Sequence, residues 1–90
     1  MSNQEYRNNI HTIADLVVDI QELNGGAEDE MTASMEICRG SRIVKVWIKK
    51  DCEKLGFCTF RPEMKLWDTK PEEIIKMLQE VKAELEKKHE

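Results

Sequence analysis

Between residues 3 and 24 the apolar positions Tyr6, Ile10, Ile13, Val17 and Ile20 are separated by steps of 4, 3, 4 and 3, the recurrence of one face of a helix. Leu16 and Leu23 widen this stripe on one side, and Ala14 and Val18 widen it on the other. Such a broad arc suits a helix packed on two neighbours. Ser2 followed by Glu5 predicts a capping box at the start, and Asn24-Gly25-Gly26 supplies the stop, because glycine enters the left-handed cap conformation without a Cβ penalty. A second helix is predicted over 70–88, where Ile74, Leu78, Val81 and Leu85 step by 4, 3 and 4 with Ile75 and Met77 beside them. Thr69 with Glu72 fits a second capping box, and Pro71 falls in the first turn, where its missing N–H breaks no helical bond.

Between the helices the apolar period shortens to two. Residues 31–39 and 42–50 predict a β-hairpin around Gly40-Ser41, with glycine placed for a type II′ turn. Pairing outward from that turn sets Ile37 with Val44, Met35 with Val46 and Ala33 with Ile48 on one face. The other face receives Cys38 with Ile43, Glu36 with Lys45, Ser34 with Trp47 and Thr32 with Lys49. One register therefore yields an apolar face and a cross-strand ion pair together, and a slip by one residue scrambles both. Residues 55–61 predict a third strand whose facing stays open, since Leu55, Phe57 and Thr59 compete with Cys58 and Phe60 for the core side. Met64 to Trp67 offers a further short edge strand after Pro62.

The order α-β-β-β-(β)-α predicts an α+β fold of two layers in one domain over residues 1–90. An antiparallel sheet carries the N- and C-terminal helices on one face. With 40% apolar and 36% charged residues the composition is that of an ordinary globular chain. The polar start, Met1 to Tyr6, has no apolar core of a signal peptide behind it, and no apolar run is long enough to cross a bilayer. The expected setting is cytoplasmic, with Cys38, Cys52 and Cys58 as reduced thiols.

Charge changes the picture once it is placed along the chain. The net charge of −4 hides three regions. Residues 1–38 hold one basic and eight acidic side chains, residues 39–65 hold eight and three, and residues 66–90 hold five and seven. A basic centre thus lies between acidic ends, an asymmetry that either marks a partner surface or is neutralised within the fold.

Catalytic chemistry finds little to work with, and no enzyme is expected. His11 lies on the polar side of the first helix, His89 at its far end of the chain, and neither has a serine or cysteine at a recognisable nucleophile spacing. No metal site or cofactor is expected: Cys52-x₅-Cys58 is not a zinc spacing, and Cys38 stands apart beside the hairpin turn. Gly25-Gly26 sits at a helix end rather than a helix start, where the dipole disfavours phosphate.

The outer sheet face carries the sharper expectation. Trp47 and Ile43 there stand among Lys45, Lys49, Arg39 and Arg42, a tryptophan-bearing basic surface of the kind that marks contact sites. The first reading is a protein interface, to a partner or to a second copy in a homodimer, in the role of a regulator, inhibitor or assembly factor. The second is a nucleic-acid surface, with Trp47 stacking on a base and the cations along phosphates. In the third, Met64–Trp67 or another part of the chain folds over Trp47 and makes it core. A secondary candidate is the acidic stripe Asp15, Asp19 and Glu22 on the first helix, for a basic partner.

The α-β-β-β-α order resembles the layout of the double-stranded-RNA-binding domain in topology. That family presents basic residues at the start of its last helix. Here the place reads Thr69-Lys70-Pro71-Glu72-Glu73, with two acids in the first turn, so RNA binding is not carried over. In size and acidity the chain is similar to phage or mobile-element accessory proteins.

Overall fold

A computed structural model describes residues 1–25, 31–49 and 56–88. Their elements are α1 (Asn3–Asn24), β1 (Thr32–Ile37), β2 (Val44–Lys49), β3 (Gly56–Phe60) and α2 (Pro71–Lys88). The strands form one antiparallel sheet in the order β1-β2-β3. The fold is the expected α+β class. Expectations for Gly26, Lys50, Cys52, Leu55 and His89 fall outside the described residues.

The helices form where their stripes place them. Tyr6, Ile13, Val17 and Ile20 of α1 and Ile74, Leu78, Val81 and Leu85 of α2 are buried in a single core, with Ile10, Leu16, Leu23, Ile75 and Met77 packed against it. Val18, at the margin of the predicted arc, is instead 51% exposed. At the start of α1 the Glu5 N–H donates to the Ser2 hydroxyl at 3.1 Å. Gly25 closes the helix at φ 63°, its N–H bonded to the Gln21 carbonyl at 3.2 Å. Because one helical donor depends on it, Ser2→Ala is expected to lower stability by about 1 kcal/mol. A thermal melt checks this as a drop of about 4–8 °C.

The second helix starts differently from expectation. Glu73 and Ile74 donate to the Lys70 carbonyl at 3.0 and 3.2 Å, and Pro71 is the first helical residue. Thr69 does not open the helix; its N–H donates to the Thr59 carbonyl at 2.8 Å and so closes part of the β3 edge.

The hairpin register is the expected one, from Thr32 opposite Lys49 to Ile37 opposite Val44. Past the strands, the Cys38 N–H bonds the Ile43 carbonyl at 2.8 Å. The turn between them is more elaborate than a two-residue connection: Gly40 has φ 85° and Arg42 also enters the left-handed region at 59°. Register with β2 settles the facing of β3. Phe60 opposite Val44 and Cys58 opposite Val46 face the helices, while Thr59 opposite Lys45 and Phe57 opposite Trp47 face outward. The short strand expected at 64–67 does not form. A turn stands there, closed by the Asp68 N–H on the Lys65 carbonyl at 3.1 Å. Among the described residues no helix is long and apolar enough to cross a membrane.

Candidate functional site

Both helices pack on one face of the sheet, so the side chains of the other face meet none of the described helices. Alternation along the strands fixes which residues these are. They are Thr32, Ser34 and Glu36 from β1, Lys45, Trp47 and Lys49 from β2, and Phe57 and Thr59 from β3. Ile43 continues the row at the turn end. At the centre the Trp47 and Phe57 rings lie 5.5 Å apart, tilted by 45°, within the range of attractive ring pairs. Trp47 is half-buried, and Phe57 is 55% exposed. Lys45 and Lys49 stand on either side of Trp47 along β2, with Glu36 opposite Lys45.

Of the expected contact residues the structure thus brings together Trp47, Ile43, Lys45 and Lys49. It separates two others. Arg39 is exposed in the turn. Arg42 lies on the helix side, as its parity with Val44 dictates: its guanidinium sits 4.9 Å from the centre of the Tyr6 ring and donates to Asn3 Oδ1 at 3.2 Å. The Tyr6 hydroxyl in turn donates to the Arg42 carbonyl at 2.7 Å. Arg42 therefore ties the hairpin turn to the start of α1.

Phe57 is the site residue that sequence reasoning missed, because the facing of its strand was undecided. Met64–Trp67 does not supply Trp47's ring neighbour either. Trp67 is 70% exposed, with the Arg61 guanidinium 5.7 Å from its ring centre, and Leu66 points fully into solvent.

The segment carrying Trp67 is fixed by one carboxylate. Asp68 accepts from Arg61 Nε at 2.8 Å, from a terminal nitrogen of Arg61 at 3.0 Å, from the Thr59 hydroxyl at 2.7 Å and from the Lys65 N–H at 2.9 Å. Its side chain has no solvent exposure. Burial by itself pushes the carboxyl upward, but these four donors and the Arg61 charge outweigh it and hold the group below its ordinary value.

The acidic stripe divides as well. Asp19 accepts from Lys82 of α2 at 3.0 Å, a bond between the helices that raises the lysine above its ordinary pKa. Asp15 and Glu22 remain exposed on α1. Among the described residues no group of three or more His, Cys, Asp or Glu is placed to hold a metal ion. His11 is exposed. The chain matches no protein-family model, no curated protein and no solved structure at a significant level.

Proposed function

We propose that this chain is a small non-enzymatic interaction module that binds a partner protein, or a second copy of itself, through the outer face of its sheet. The observation that carries this reading is the Trp47–Phe57 ring pair, 5.5 Å apart on the face opposite both helices. Rigid aromatic anchors of this kind dominate protein interfaces because they bury much area at little conformational cost. Lys45, Lys49, Glu36 and the small hydroxyl side chains of Ser34, Thr32 and Thr59 form a polar rim around them, the usual anatomy of a contact patch. A regulator, inhibitor or assembly factor fits such a face, and a cytoplasmic setting fits the free thiols Cys38 and Cys58.

The double variant Trp47→Ala with Phe57→Ala is expected to keep the fold at a cost of about 2–4 kcal/mol, because the ring-pair contribution adds to the loss of Trp47's partly buried area. Its binding is expected to weaken by about 2 kcal/mol or more, roughly thirtyfold. Light scattering of the purified protein and affinity capture from nuclease-treated lysate, each run beside the wild type, measure this. Unchanged mass and unchanged captured partners in the variant reject the reading.

A second reading is favoured by the two lysines that flank Trp47 on β2: a single-stranded nucleic acid stacked on the rings with its phosphates along the cations. It predicts quenching of Trp47 by oligonucleotides in a Trp67→Phe background, with affinity falling steeply as salt rises. Absence of quenching at low salt rejects it.

A further inference from the structure

Two arginines stand together where α1 begins, and neither has a carboxylate beside it. Arg7 is the one lysine or arginine among residues 1–38, yet it lines the same open hollow as Arg42, together with Asn3, Tyr6 and Ile10. The hollow has a volume of about 310 Å³, and among the described residues no acidic side chain lines it. Neither arginine forms an ion pair with any described residue. Like charges gathered at one hollow repel each other unless an anion joins them.

Arg42 is held in place from several sides. Its backbone sits in the left-handed region at φ 59°, which residues with a Cβ seldom adopt. The Tyr6 hydroxyl donates to its carbonyl at 2.7 Å, the Tyr6 ring lies 4.9 Å from its guanidinium, and Asn3 Oδ1 accepts from a terminal nitrogen at 3.2 Å. An unusual backbone conformation fixed by such contacts points to a functional position. The bond to Asn3 uses one guanidinium N–H. The other side-chain donors of Arg42, and all those of Arg7, have no acceptor among the described residues. Asn3 accepts through Oδ1, which leaves its amide nitrogen as a further donor.

Two other hollows lack this character. The one lined by Asp19, Glu22, Lys82 and Glu86 is acidic. The other shares Arg42 and adds Arg61 and Lys65, but Glu63 lies in its wall and Asp68 already neutralises Arg61.

We infer that the hollow at the start of α1 binds a small phosphate monoester, its phosphate between Arg7 and Arg42 and its organic part against Ile10 and the Tyr6 ring. A lining rich in donors calls for a ligand group that only accepts, and guanidinium forks match phosphate oxygens two at a time. A carboxylate cancels one of the two positive charges. A phosphate monoester carries nearly two negative charges at neutral pH and cancels both. The volume stands at the lower end of small-molecule sites, roughly 300–1,000 Å³, with room for more than a bare ion. Arg42 lies on the helix side of the sheet, so this site is separate from the Trp47–Phe57 face.

Phenyl phosphate is the probe, with inorganic phosphate and benzoate for comparison, each titrated at low salt into the nitrogen-15-labelled chain. Phenyl phosphate is expected to bind with a Kd below about 1 mM, about threefold or more tighter than inorganic phosphate and about tenfold or more tighter than benzoate. The Nε–H signals of Arg7 and Arg42 and the side-chain amide of Asn3 are expected to shift. Arg7→Ala, at an exposed position, is expected to keep its melting temperature and weaken binding by about tenfold or more. Arg42→Lys keeps the charge, removes the fork and is expected to weaken binding as well, while the Trp47/Phe57 double variant is expected to bind as the wild type does. The proposal is overturned by no binding at about 10 mM phenyl phosphate, by binding unchanged in Arg7→Ala, or by equal affinity for phenyl phosphate and inorganic phosphate. It is also overturned if a phosphoserine peptide or a single-stranded oligonucleotide displaces phenyl phosphate at about a hundredth of its concentration, since the site then belongs to a macromolecule.

Discussion

Phe60→Ala is expected to lower the unfolding free energy by about 3–5 kcal/mol, a large share of the roughly 5–15 kcal/mol that holds a domain of this size together. The residue has no solvent exposure and is among the largest fully buried side chains. Its position explains why its loss is not absorbed locally. It ends β3, faces the helices opposite Val44, and meets the Tyr6 ring edge-on at 6.0 Å between centres. Tyr6 carries the hydroxyl that holds the Arg42 carbonyl and the ring under the Arg42 guanidinium. One truncation therefore leaves a cavity where β3, α1 and the hairpin turn meet, and close packing permits only partial collapse around it. Urea unfolding monitored by circular dichroism measures the loss. Phe57→Ala, three residues away on the exposed face, is the internal control and is expected to cost far less. A Phe60→Ala loss below about 1 kcal/mol contradicts this account of the core.

The same pair of phenylalanines marks the limit of what the sequence made legible. Helix stripes were readable because both faces of each helix differ sharply: Ile74, Leu78, Val81 and Leu85 alternate with lysines and glutamates. The β1–β2 register was readable because turn chemistry, apolar pairing and Glu36–Lys45 agree on it. In β3 both faces are apolar, so no local pattern decided between Phe57 and Phe60. Only pairing with Val44 and Trp47 on β2 does so. Charge misled in a related way. Arg42 sits among the basic residues of the chain centre, yet its backbone parity sends it to Tyr6 on the helix side. Arg61 belongs to Asp68. The basic centre is thus partly consumed inside the fold, and Lys45 and Lys49 are its members that share the outer face with Trp47. The polar residues Gln21 and Asn24, unremarkable in a helix sequence, close the β1 edge at Ala33 and Met31. Nothing local to those residues signals such long-range partners.

Asp68 is the extreme case of a partner set invisible in one dimension, since its donors come from a strand, a strand end and a turn. Replacing it by asparagine keeps the shape and removes the charge. The new amide then points a donor at groups that already donate, and Arg61 is left partly buried without its carboxylate. The expected cost is about 3 kcal/mol, within the range for breaking a buried ion pair. A melting temperature lower by about 12–24 °C follows for a domain of this length. The pH dependence supplies a second readout. The folded-state pKa of Asp68 lies below its ordinary 3.8, so the folded state binds this proton more weakly than the unfolded chain does. Its stabilising contribution is fully present above about pH 4 and is lost as the pH falls through the depressed folded value. Wild type should therefore lose stability on acidification below about pH 4 more steeply than Asp68→Asn, and the gap between the two proteins should narrow there. Urea midpoints of both proteins at neutral pH and at about pH 3 measure that gap. A gap that stays constant across this range shows that the Asp68 carboxylate is not what holds Arg61, Thr59 and the turn at Lys65 together. A gap that narrows ties the exposed Leu66–Trp67 turn to a single buried charge, and Trp67 emission in a Trp47→Phe background should shift with the same acid transition.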